Sequence, residues 1–303
     1  MLIDYLLITI IKFFQQVLRV LPEKAQLFTG ILIGRLAFIV LRNRKHIAFS
    51  NIKRAFAELS DREAMSVAKR NFEKLGTNVV EFLLMPFLNE RQIRERFTVE
   101  GKEFFQKALL ERKGAIALGF HFGNWEVTGT ISKLLGHNIV ALARPLKRRV
   151  LLNTFLNGLR ESTGLSIIVN ENTGRMVMKL LKENKIVAIL SDQREKSSRG
   201  VAVELFGTKV PTSKGTAMIA MKTGAPVVPV YAVRQGFLRY TFVCCSPIEM
   251  ERTGNIGELI SLNTRKVNAF LEAIIRKYPD EWFWVHKRWR KSRWDTDNNT
   301  APY

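Results

Sequence analysis

Beyond residue 113 short apolar runs alternate with longer amphipathic stretches, and this alternation restricts the fold more than any other feature of the chain. Runs rich in Val, Ile, Leu, Phe and Ala at 115–120, 138–143, 166–169, 186–190, 201–205, 227–233 and 240–245 read as strands. Between or after them, 125–135, 148–162, 173–183, 214–222 and 256–277 carry apolar residues at helical spacing. The pattern predicts an α/β fold: a mostly parallel central sheet of about seven strands, flanked by helices. In such sheets ligands bind beyond the carboxyl ends of the strands, so the residues just after each run are the candidates for chemistry.

Upstream, 44–57, 61–88 and 89–95 read as helices, with Ser60 and Glu63 forming a capping-box pattern. Two more apolar stretches precede them. Asp4, Lys12, Gln15, Gln16 and Arg19 interrupt the first, 2–21, and Arg35 interrupts the second, 25–41. Neither is a clean spanning helix, and no small-residue cleavage site follows, so the segment reads as an uncleaved membrane anchor that spans or docks. The basic cluster Arg42, Arg44 and Lys45 follows it, as expected on a cytoplasmic side. The expected organisation is an apolar anchor at 1–42, a helical scaffold at 43–110 and an α/β core at 111–303 ending in a basic-aromatic segment. No internal repeat or low-complexity linker divides it.

Lys and Arg number 48 against 27 Asp and Glu, a formal charge of +21, so the surface favours an anionic partner such as lipid headgroups, an acidic carrier protein or nucleic acid. The tail from 282 to 294 interleaves Trp282, Trp284, Trp289 and Trp294 with Lys287, Arg288, Arg290, Lys291 and Arg293. Trp and Arg together suit the bilayer interface, and the apolar anchor at the other end favours that reading over nucleic-acid stacking. Cys244 and Cys245 are adjacent in one strand and point to opposite faces, which fits a reducing compartment. No His/Cys/Asp cluster has ligand spacing, and neither a P-loop nor a dinucleotide fingerprint occurs, so no metal or cofactor is expected.

The chemistry is expected at His121, which follows the first apolar run of the core, with Glu126 five residues later where a helix would begin. An imidazole there can take a proton from a hydroxyl if a carboxylate fixes its tautomer. Arg144, Asp192, Gln193 and Arg194 follow the second and fourth strands, and the arginines suit a phosphorylated substrate. Gly207 leads through Thr212 and Lys214 to Gly215, where the amides of 212–216 open a helix and offer an anion site. His46, His137 and His286 lack a sheet-edge context with an acid nearby and are assigned structural or surface roles. No Gly-x-Ser-x-Gly elbow occurs and neither cysteine lies near a candidate base, which is consistent with a base acting directly on a hydroxyl; backbone amides after His121 or an arginine would then have to stabilise an oxyanion.

The ordered series His121-Phe-Gly-Asn-Trp-Glu126, Ala-Arg144-Pro145, Ser-Asp192-Gln193, Phe206-Gly207, Pro211-Thr212-Ser-Lys-Gly215, Thr-Gly224-Ala-Pro226-Val-Val-Pro229 and Trp284-Val-His286-Lys-Arg288-Trp289 resembles the lipid A biosynthesis acyltransferases. These are late or secondary acyltransferases within the lysophospholipid acyltransferase superfamily. The resemblance runs from the apolar N-terminus to about residue 290. It implies a bacterial inner-membrane enzyme with its active site on the cytoplasmic face. Such an enzyme moves a fatty acyl chain from acyl carrier protein, or from coenzyme A, to a hydroxyl of a lipid A precursor, a phosphorylated glycolipid. By position, His121 is implied as the general base, Glu126 as its orienting partner, and Arg144, Asp192 and Gln193 as the acceptor-pocket lining. Two alternatives accompany this reading: another glycolipid, aminolipid or lysophospholipid as acceptor, and a noncatalytic protein binding anionic lipid or nucleic acid. Nucleic acid is not the expected partner.

Overall fold

Among the described residues nine strands form, β1 (Phe97–Glu100), β2 (Ala115–Gly119), β3 (Ile139–Ala143), β4 (Leu165–Val169), β5 (Ile186–Leu190), β6 (Gly200–Leu205), β7 (Thr208–Ser213), β8 (Val227–Gly236) and β9 (Arg239–Cys244), and all but β6 and β7 make the central sheet. The structure, a computed structural model, describes residues 2–143, 149–169, 173–196 and 198–290. The sheet order is β1-β9-β8-β2-β5-β3-β4, parallel throughout except where β9 pairs antiparallel with β8. The mostly parallel, helix-flanked sheet is therefore as the sequence predicts, but its membership differs. The expected strand at 201–205 is β6, which leaves the sheet to pair with β7 in a separate hairpin. Its place is taken by β1, a four-residue edge strand too short to carry a clear apolar alternation. Pro211 and Lys209 hide β7 in the same way.

The central strands are buried on both faces, as parallel strands covered by helices must be. Ile116 and Leu118 of β2 pack into one cluster with Val187 and residues of the helix Ile256–Lys277. Ala115 and Ala117, one position out of phase, join a second cluster with Phe82, Phe105 and Leu159. The expected helix at 125–135 is instead a run of turns, a 3-10 turn at Thr128–Thr130 and a five-residue helix, Ile131–Leu135. The chain leading into it is held by other bonds: Gly123 N donates to Glu281 O and Val127 N to Asn124 O.

Among the described residues five α-helices precede the sheet: α1 (Leu2–Val20), α2 (Glu23–Val40), α3 (Arg42–Ala55), α4 (Asp61–Leu84) and α5 (Glu90–Arg96). The Ser60–Glu63 capping box closes the start of α4 with both reciprocal bonds. Among the described residues no single helix is long and apolar enough to cross a membrane; α2 and α3 satisfy length and composition only as a pair bent by 94°. α2 lies directly on α4. Gly30 and Gly34 meet Gly76 so closely that a Cβ on Gly34 would stand 2.2 Å from Phe72 O, and one on Gly76 would stand 2.3 Å from Gly30 O. On α1, Asp4 is buried against Arg149 at 2.9 Å and Gln15 donates to Leu83 O, whereas Leu2, Leu6, Ile10, Phe13, Val17 and Val20 stand exposed at helical spacing.

The C-terminal segment departs from expectation. Trp282, Trp284, Arg288 and Trp289 are buried in the protein rather than presented to a bilayer, because the chain there runs beneath the sheet edge and bonds to it. Phe283 N donates to His121 O, and Phe122 bridges Trp282. Trp294, Lys291 and Arg293 lie outside the described residues.

The glycine crossing sets a prediction. Gly34→Val, which forces backbone atoms of α2 and α4 apart, is expected to destabilise the protein by about 1–3 kcal/mol or more, read as a lower thermal midpoint in detergent. Gly158→Ala, where no atom lies within 4 Å of the added carbon, serves as the control.

Candidate active site

The register of two neighbouring strands places the central pair of side chains. β2 and β5 run parallel with Gly119 opposite Leu190, and Ser191 N donates to Gly119 O as the chains leave the sheet. His121 and Asp192 each lie two residues beyond those partners. They meet side by side: His121 Nδ1 lies 2.8 Å from Asp192 Oδ1. Asp192 is buried and ionised, so Nδ1 carries the proton and Nε2 presents its lone pair to the cavity. Burial alone would raise the Asp192 pKa. The positive charge that His121 carries when protonated, the bonds from the His121 ring and Trp282 Nε1, and the His121 backbone N–H outweigh it and hold the carboxyl below its ordinary value. Gln193 Nε2 stands 3.1 Å from His121 Nε2 and donates to it.

Glu126 is not brought to His121. Its carboxylate faces Arg160 of the helix Val150–Ser162, with Nε to Oε2 at 2.8 Å and Nη2 to Oε1 at 2.9 Å. These bonds raise the Arg160 pKa despite its partial burial. The carboxylate bonded to the His121 ring is that of Asp192, not that of Glu126. The physical reason is the missing helix start: residues 121–127 follow their own turns, and these deliver the fifth residue to a different neighbour.

Glu126, Arg160, Gln193 and His121 all line one cavity of about 890 Å³, within the size range of small-molecule sites. Its apolar wall comes from one sheet face. Ala117 pairs with Ala188 and Ala188 with Ala141, a row of methyl groups across three strands that leaves room where larger side chains would fill it. Ile139, Leu165 and Ile167 continue the wall, and Trp125, packed on the His121 ring at 5.2 Å, stands at the polar end.

Of the other expected site residues, Gly215 lines the cavity beside Ser213 and Thr216. Thr212 is buried and accepts from Arg288 Nη2 at 2.7 Å, and Gly207 occupies the β6–β7 turn with φ +68° after Phe206 at +50°. Neither belongs to the cavity lining, and the positive φ angles give Gly207 a turn role. Arg194 is fixed through its backbone: its N–H donates to His286 Nε2 at 3.1 Å, and the residue bridges Thr212. Arg144 lies outside the described residues. The amides after His121 are engaged elsewhere, Phe122 N with Phe120 O and Gly123 N with Glu281 O, which removes both as oxyanion donors.

Sequence reasoning missed a buried acid that holds the 121–124 turn. Glu81 of α4 is fully enclosed, accepts from Asn124 Nδ2, Leu238 N and Tyr240 Oη, and pairs with Arg234 of β8. Asn78, one helical turn earlier, donates to Gly123 O at 2.8 Å. A Cβ on Gly123 would stand 2.6 Å from Ala232 O, so the turn sits against β8 with no space to spare. The polar residues Thr77, Asn78 and Glu81 within the otherwise apolar last turns of α4, 75–84, were the available signal.

A histidine two residues beyond β2, bonded to a buried carboxylate at the end of a hollow apolar wall, is an arrangement suited to acyl transfer. The sequence pattern of the bacterial lipid A biosynthesis acyltransferase family matches residues 2–291, and the chain belongs to that family. It is 25% identical over 272 residues to the lipid A biosynthesis palmitoleoyltransferase of Escherichia coli (strain K12), covering 89% of this chain and 86% of that protein. It is 24% identical to the lauroyltransferase of the same organism, over 86% and 84% of the two chains. It is also 23% identical to the phosphatidylinositol mannoside acyltransferase of Mycobacterium tuberculosis (strain ATCC 25618 / H37Rv), over 72% and 69%.

His286 supplies a prediction about stability. Burial, with the Arg288 charge added, pushes its pKa down to about 4 from an ordinary value near 6.5. The unfolded chain therefore binds a proton that the folded chain refuses as pH falls below about 6.5, and stability declines until about pH 4. His286→Gln, which cannot titrate, is expected to flatten that decline in a thermal melt series; an unchanged slope would contradict the assignment.

Proposed function

We propose that this acyltransferase moves a fatty acyl chain from an acyl carrier protein thioester, or from acyl-CoA, to a hydroxyl of a lipid A precursor, with His121 as general base and Asp192 as its orienting partner. The observation that carries this reading is the His121–Asp192 bond at the mouth of an apolar cavity. Nε2 takes the acceptor hydroxyl's proton as the oxygen attacks the thioester carbonyl. The tetrahedral intermediate collapses, the C–S bond breaks, and the imidazolium returns the proton to the departing thiolate. Asp192 stabilises the imidazolium while it exists. The acceptor hydroxyl must displace the Gln193 amide from Nε2, and the freed N–H group is then within reach of the developing oxyanion. The acyl chain lies along the Ala117–Ala188–Ala141 wall. The fork between Glu126 and Arg160 shapes the cavity's polar flank, and the helix Gly215–Thr223 opens onto the same space.

We place the enzyme at the cytoplasmic face of the bacterial inner membrane. The exposed apolar stripe of α1 supports this, as do the net charge of +21 and the bacterial lipid A family. The lipid A precursor is preferred as acceptor because the family match covers nearly the whole chain, whereas the mannoside relative covers less of it.

The direct test gives detergent-purified protein an acyl carrier protein thioester with a panel of hydroxyl-bearing glycolipids and lysophospholipids, products being read by mass. Transfer to the lipid A precursor, abolished in His121→Ala, is expected; transfer to none of the panel would sink the reading. Glu126→Gln and Arg160→Gln are each expected to lower turnover by about tenfold or more, and the double variant to be little worse than either, because both break one fork. Independent, multiplying losses in that cycle would show that the two side chains act separately. Replacing both Leu6 and Phe13 by Glu is expected to release the protein from anionic vesicles in a flotation assay, since each buried apolar side chain contributes about 1.5–3 kcal/mol. Undiminished flotation would exclude α1 as the docking face.

A further inference from the structure

The C-terminal segment does more than fill the core. It runs past two stretches that leave the sheet edge and then past β7 of the separate hairpin, and bonds to each in turn. At the first, Gly123 N donates to Glu281 O and Phe283 N to His121 O, at 2.9 Å each. At the second, Trp282 Nε1 donates to Asp192 Oδ2 at 2.9 Å, and Arg194 N donates to His286 Nε2. At the third, Arg288 donates to Pro211 O and Thr212 Oγ1 at 2.9 and 2.7 Å. The segment is held from behind by two buried asparagines. Asn71 of α4 donates to Asp280 O and Trp282 O, and Asn51 of α3 donates to Trp284 O and His286 O.

Within this strap one bond bears on the chemistry. A carboxylate that orients an imidazole through one oxygen is free to swing unless its other oxygen is fixed. Asp192 Oδ2 receives the indole N–H, and the indole cannot move: Trp282 is 2 % exposed and lies edge-on to Trp284 at 4.8 Å and to Trp289 at 5.8 Å. We propose that Trp282 is a positioning residue for acyl transfer, its indole N–H locking Asp192 so that Oδ1 faces His121 Nδ1 and the imidazole keeps its lone pair on Nε2. The N–H also meets the hydrogen-bonding need of a carboxylate enclosed by protein, which otherwise carries a desolvation cost. This inference rests on His121 being the base and adds to it a residue that touches no substrate.

The test removes the N–H while leaving the ring. Trp282 is replaced by 3-benzothienylalanine, whose sulfur stands in for the indole nitrogen and donates no hydrogen bond, and separately by Phe. Two readouts are taken on folded protein: steady-state acyl transfer, and the His121 tautomer by nitrogen NMR of histidine-labelled protein. The His121 signal is assigned by its loss in His121→Ala, which leaves three other histidines in the chain. Wild type is expected to show the Nδ1–H form. In the benzothienyl protein the tautomers are expected to mix and kcat to fall roughly tenfold or more, with KM for the thioester changed by no more than about threefold. An unchanged tautomer overturns the proposal whatever happens to kcat, and so does a mixed tautomer with full turnover. Should Trp282→Phe fail to fold, the benzothienyl protein decides. Failure of the underlying reading looks different: His121→Ala would then transfer acyl groups at the wild-type rate.

Discussion

The bond between His121 Nδ1 and Asp192 Oδ1 is the interaction on which the site depends, and sheet register creates it. Two parallel neighbours that end at the same level send their next residues out together, so side chains at equal distances past the sheet become adjacent. Neither loop need be long, and neither residue need be near the other in sequence. Once Asp192 is fixed, the imidazole's tautomer, the direction of its lone pair and the place of Gln193 follow from hydrogen-bond rules alone.

Burying that carboxylate has consequences for the rest of the fold. An unpaired charge in the interior would cost several kcal/mol, and the surrounding segments each contribute something to offset it. Trp282 donates to Oδ2, the His121 ring and backbone donate as well, and the guanidinium of Arg288 lies near enough for the Asp192 charge to raise its pKa, although burial brings Arg288 down to about 10 overall. A second buried acid, Glu81, does the corresponding work for the backbone of the 121–124 turn, with Arg234, Tyr240 and Asn124 as partners. The helices before the sheet therefore reach the active site through α4 and through the asparagines that grip the C-terminal strap. The glycine-lined contact of α2 with α4 ties the apolar N-terminal helices to the same framework.

Much of this was legible in the sequence because it is periodic. Alternating β-branched runs and amphipathic stretches give the sheet and its covering helices, and the helix Ile256–Lys277 coincides with its expected span. His121 was legible because it follows such a run. What escaped was set by contacts between distant segments. Glu126 lies five residues from His121, yet Arg160 claims it, whereas Asp192 lies 71 residues away and is delivered by strand order, which periodicity does not reveal. The clue was positional: His121 and Asp192 each follow within two residues of the end of an apolar run. The Trp-Arg composition of the tail suggested an interface with lipid, but composition cannot distinguish a ring at a headgroup from one sealed under a sheet edge. β1 and β7 were hidden by their brevity and by Pro211.

An apolar wall built from aligned alanines, an imidazole bonded to a buried carboxylate and a basic, partly apolar exterior are all consistent with the proposed acyl transfer. The measurement closest to its centre compares single-turnover acyl transfer by Asp192→Asn with that by wild type, with folding verified for both. An amide at that position removes the charge that stabilises the imidazolium and disturbs the tautomer, so the account predicts a loss on the order of 10³–10⁴-fold with thioester binding retained. Transfer by Asp192→Asn within a fewfold of wild type would contradict the account.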